Sequence, residues 1–231
     1  MLYTEGNAGM SEFQRENRSR TRRYAIVFAC LFLVLLLIFY ANVSTGTVAL
    51  RGDLVSQTIL WRIRLPRVCL AMVLGGALAL SGFLLQTFFE NPIAGPYILG
   101  ISSGAKLTVT LSMLLTLTQL RTTSAAINVV AAFIGALLST GFILLISKRV
   151  QHMASILIGG IMIGYVASAI TDFLITFAED ADIVNLHGWS LGSFSGADWT
   201  DVRVSLAVVG VTMALIFAMS KQIGAFRLGE G

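Results

Sequence analysis

The chain has 231 residues, of which 56% are hydrophobic and 12% charged, about half the roughly 25% charged share of a soluble domain. With apolar runs near twenty residues, that balance excludes an ordinary soluble domain and indicates a polytopic membrane protein, its continuous rather than alternating runs pointing to helices and not a barrel. The net charge of +4 does not indicate nucleic acid, because most basic residues flank apolar spans and read as topological anchors.

In chain order, residues 1–23 are polar and carry Arg15, Arg18, Arg20, Arg22 and Arg23. They read as a cytoplasmic tail; the apolar run after them is too long for a signal h-region and lacks a small-residue cleavage site. Hydropathy predicts spans over residues 24–42, 66–87, 97–118, 126–147, 154–177 and 202–220, and six spans return the chain to the side on which it began. The tail arginines put that side inside, together with Lys148, Arg149, Lys221 and Arg227. Arg62, Arg64 and Arg67 then fall outside, with Arg51, Arg121, Arg203 and the acidic segment 178–201. Three arginines placed against the positive-inside tendency suggest a task there, such as docking an acidic partner.

Small residues recur every four positions: Gly100 and Gly104, Ala131 with Gly135 and Ser139, and Gly160 with Gly164 and Ser168. Such stripes let helix backbones approach closely, either as plain compact packing or as faces that slide during a transport cycle. Asp172 continues the last stripe. It reads either as a pathway residue facing a cavity or as an acid near the outer end, where water is close. Lys106 either snorkels or finds a partner, Asp172 being a candidate. The run from Gly100 to Lys106 lacks phosphate-loop spacing, and no strand precedes it. His152 and His187 are isolated, Cys30 and Cys69 form no metal or redox pattern, and no catalytic triad or HExxH is present. Neither a cofactor, a metal site nor enzymatic activity is expected. Trp189 and Trp199 flank a glycine-rich segment fit for an interfacial helix or gate.

The runs RIRLPRV, GALALSG, Gln86, NPIAGPYILGISSGA, WSLGSFSGADW and RLGE together resemble the FecCD family, membrane permeases of type II ABC importers for iron-siderophore complexes, haem and cobalamin. The resemblance covers roughly residues 24–231. It implies an all-α polytopic fold, a second permease subunit, two cytoplasmic ATP-binding subunits and an extracytoplasmic substrate-binding protein, in the cell membrane. It implies binding-protein docking at Arg64, with Arg62 and Arg67 next, and a pathway lined by Gly164, Ser168 and Asp172. An outer gate helix is implied at about residues 187–197, and the segment that couples to the ATPase begins at Leu228, Gly229 and Glu230. Residues 24–231 form the permease domain, which on this pattern lacks the last four of the family's ten helices. Lys106 departs from the small or apolar residue usual at that site. Two other expectations remain beside the importer: an ion-coupled secondary transporter using Asp172 and Lys106, and a non-transporting membrane assembly factor.

Overall fold

The computed structural model describes residues 2–46, 54–117, 125–150 and 152–226. The chain divides into two compact units, Met1–Cys69 and Leu70–Gly231. The described residues are helices joined by turns, as the continuous apolar runs require.

In the first unit, α1 spans Leu2–Ser44, so the polar lead expected as a tail is helical, and its apolar part Arg20–Ser44 is long enough to cross a bilayer. The short helix α2, Leu54–Ile59, passes through a π-helical turn at Leu60–Arg64 into α3, Leu65–Phe88. The second span therefore begins well before residue 66. Pro66 explains the π-turn. A proline has no N–H to give to the carbonyl four residues back, and its ring crowds that carbonyl. Widening the turn relieves the crowding, and the Leu65 N–H donates to the Leu60 carbonyl, five residues back.

In the second unit, α3 ends at Phe88 and turns occupy residues 89–100. The helices α4 (Ile101–Leu117), α5 (Ala125–Ser147) and α6 (Met153–Ile175) follow. Then come α7 (Asp180–Leu191), α8 (Trp199–Ala218) and α9 (Ser220–Phe226). α4 lies against both α5 and α6, and α7 folds onto α4. Four long apolar helices besides α1 qualify as membrane spans, while α4 is a shorter apolar helix. The third expected span, 97–118, is thus part helix and part turn: Pro96 and Gly100 delay the helix to Ile101 although the residues between are apolar.

The turns before α4 are structural, not slack. Asn91 accepts from the Ile93 N–H through its side chain, and from the Ala94 N–H through its carbonyl. Gln86 donates its side-chain amide to the Pro92 carbonyl. Phe89, Ala94 and Leu99 are buried and form one core with Ile143 of α5 and Ile156 of α6. A second core joins Val109 and Met113 of α4 to Leu186 of α7.

Candidate functional site

The three stripes of small residues meet. A Cβ on Gly100 would lie 2.6 Å from the Gly164 nitrogen and 2.7 Å from the Gly160 carbonyl oxygen. Gly100 also holds φ +70°, where an L side chain is strained. On the other flank a Cβ on Gly104 would lie 2.9 Å from the Gly135 carbonyl oxygen and would also collide with the Ser139 hydroxyl. α4 is thus wedged backbone to backbone between α5 and α6. Two side-chain bonds fix the register: Thr108 Oγ1 donates to the Ala131 carbonyl at 2.7 Å, and the Ser168 hydroxyl bonds the Ser103 hydroxyl at 3.2 Å.

This wedge has two unlike sides. Between α5 and α6, with Gly104 and Thr108 as its floor, lies an almost wholly apolar groove of about 480 Å³. The side of the α4–α6 pair away from α5 is polar. Residues three or four apart on a helix share a face, so Lys106 continues Ser103 and Asp172 continues Ser168. Ser103 and Ser168 are bonded and the helices run parallel, so Lys106 and Asp172 lie one turn further on at about the same level. Thr110 and Thr171 fill the seam there, fully buried, each hydroxyl donating to the carbonyl four residues earlier in its own helix. Lys106 is half-buried and Asp172 exposed. Tyr165, seven residues before Asp172, is exposed on the same face.

Just beyond this level α7 covers α4, with Leu186 against Val109 and Met113, and Trp189 packed beside them. The helix expected at 187–197 is therefore earlier, at Asp180–Leu191, and Gly188 lies inside it. Gly192, with φ +74°, ends it. The acids at its start are favourable at a helix N-terminus, which is why they belong to the helix and not to a loop. α8 begins on a capping box: Asp198 accepts from the Thr200 and Asp201 N–H groups, and Asp201 accepts from the Asp198 N–H. The N–H of Asp201, foremost among several groups, holds the Asp198 carboxyl below its ordinary pKa.

In the first unit, Arg64 lies in the π-turn and donates Nη1 to the Val43 carbonyl at 2.8 Å and the Ser44 carbonyl at 3.3 Å. It neutralises the open carbonyl end of α1. Arg62 is exposed and Arg67 half-buried. Of the other expected site residues, Gly164 is buried against Gly100, Ser168 is half-buried on Ser103, and Leu228, Gly229 and Glu230 lie outside the described residues. Sequence reasoning passed over Ser103 and Tyr165. Their spacing from Lys106 and Asp172 carried the signal, but only the pairing of α4 with α6 makes one face of it. Among the described residues no ion pair joins Lys106 to Asp172, and no cluster of His, Cys, Asp or Glu is built to hold a metal.

Residues 25–231 match the FecCD transport family. The vitamin B12 import system permease protein BtuC of Escherichia coli O127:H6 (strain E2348/69 / EPEC) is 32% identical over 217 residues, 92% of this chain and 65% of that protein. Its namesake from Salmonella newport (strain SL254) is 31% identical over 226 residues, 96% of this chain and 67% of that protein. The chain spans about two thirds of the length of these relatives. A solved ABC transporter described as being of metal-chelate type, in an inward-facing conformation, superposes with a TM-score of 0.76 at 23% identity, over 88% of this chain and 65% of that one. At that identity the superposition speaks for the fold.

Proposed function

The chain belongs to the FecCD transport family, and from that membership we propose that it forms the membrane permease of an ABC importer for an iron-siderophore or related metal-chelate complex. The observation that carries the reading is the polar face of α4 and α6 beneath α7, set opposite an apolar groove. An apolar side suits lipid or another helix. A side with a lysine and an aspartate suits water and a passing solute, since charges within a bilayer face cavities or partners. Gly164, Ser168 and Asp172 line the passage in this reading, Gly164 by letting α4 approach and the other two by facing it.

Residues 24–231 form the permease domain and residues 1–23 a cytoplasmic extension, with the N-terminus inside a cell membrane. A second permease subunit completes the passage, and paired cytoplasmic ATP-binding subunits drive it by favouring one of two access states. Arg62, Arg64 and Arg67 meet acidic groups of an extracytoplasmic binding protein. Leu228, Gly229 and Glu230 begin the contact with the ATPase. An ion-coupled transporter would use Lys106 and Asp172, which lie at about the same level but form no ion pair among the described residues.

Uptake of radiolabelled ferric chelates into a strain deleted for the permease provides the test. Restoring the complete gene should restore uptake only while the partner ATPase is intact. Uptake that persists with an inactive ATPase would sink the proposal.

A further inference from the structure

We infer that Lys106 is the contact for an anionic group of the cargo, and that the transported chelate carries net negative charge; this rests on the permease reading above. Lys106 is on the second turn of α4, on the face continued by Ser103 below and by Thr110 above. Its ammonium has no hydrogen-bond or ion-pair partner among the described residues. Gly100 touches Gly164, the twelfth of the 23 residues of α6, so α4 starts halfway along α6. Lys106 is then level with the stretch of α6 around Thr171, directly beneath the part of α4 that α7 covers.

A lysine at that place is tolerated if its surroundings are wet or supply an anion. Its side of α4 is opposite the apolar groove, and across the seam Asp172 lies at its level, with Ser168 about one turn and Tyr165 about two turns lower. These side chains offer hydroxyls and one exposed carboxylate, but no carboxylate engages the ammonium. The lysine is therefore left to a visiting group, and its chemistry selects an anion: carboxylate, catecholate or phosphate. The same chemistry would hold a lipid phosphate if Lys106 snorkelled to a headgroup, and the test separates the two.

The first experiment uses the complete transporter in cells, with Cys30 and Cys69 replaced by Ala. Lys106→Cys and, as a control in the apolar groove, Leu138→Cys are each exposed to an anionic, membrane-impermeant thiosulfonate reagent. On a wet passage face, Lys106→Cys should react about tenfold faster or more than Leu138→Cys. Equal inertness would put Lys106 against lipid and overturn the inference. The second experiment compares uptake of a trianionic ferric tricatecholate with that of an uncharged ferric trihydroxamate. Lys106→Met should lower tricatecholate uptake about tenfold and trihydroxamate uptake by less than about twofold, with Lys106→Arg retaining most of both. Equal losses for the two probes, no loss for either, or wild-type uptake of the uncharged chelate alone would overturn it. Failure of the wild-type transporter to carry either probe, with its ATPase intact, would instead overturn the permease reading.

Discussion

Gly100 combines two constraints that no other residue type satisfies: a positive φ and backbone contact with Gly160 and Gly164. Gly100→Ala should destabilise the bundle by on the order of 3 kcal/mol, from backbone strain together with overpacking. Gly141, where an added Cβ meets nothing within 4 Å, is the control. Gly141→Ala should be neutral or stabilising by up to about 1 kcal/mol, and thermal unfolding in detergent checks both. Thr108→Val keeps the shape but removes the bond to the Ala131 carbonyl, at a cost of about 0.6 kcal/mol, typical of bonds between membrane helices. At Asp198 the lowered pKa fixes the sign of a pH effect. The cap contributes fully at neutral pH and is lost as the pH falls below the ordinary carboxylate range through the lowered value. Hydrogen exchange at the Thr200 and Asp201 amides should therefore accelerate relative to other amides in acid, and Asp198→Ala should abolish that dependence. The glycine spacings were readable in the chain, but periodicity names a face and not its partner. That Gly100 meets Gly164, and Gly104 meets Gly135, follows from the fold.

At the scale of elements, Arg64 joins two helix segments within the first unit, which bears on its proposed docking role. Arg64→Ala should loosen the end of α1, read as faster exchange of the amides near Val43, whether or not a binding protein is present. Arg62, exposed in the same π-turn, gives the cleaner probe. Arg62→Glu should weaken binding-protein docking several-fold, more so at low salt, with thermal stability unchanged. The π-turn itself was hidden in the sequence. The apolar run begins at residue 66, whereas the helix is already under way through the arginines and the proline only widens it. The resemblance implies the next helix at about residues 187–197, whereas α7 starts at Asp180, runs through Gly188 to Leu191 and stops at Gly192, where φ is positive. The spans of α5, α6 and α8 were legible to within a few residues, because long apolar runs leave little choice of structure.

For the whole molecule, the outward display of large apolar side chains along α1, α5, α6 and α8 matches immersion in lipid. The protein should resist alkaline extraction from membranes and need detergent for release. α4 meets that environment differently. Roughly 16 Å of α6 precedes its contact with Gly100, at 1.5 Å per residue, and alongside that stretch the chain consists of the turns from Phe89 to Leu99 rather than helix. Phe89, Ala94 and Leu99 anchor these turns against α5 and α6, while Ile93 and Tyr97 stay exposed. The consequence concerns assembly: these turns lack the continuous backbone ladder of a helix, so this stretch gains its place in a bilayer only once α5 and α6 are there to pack against it.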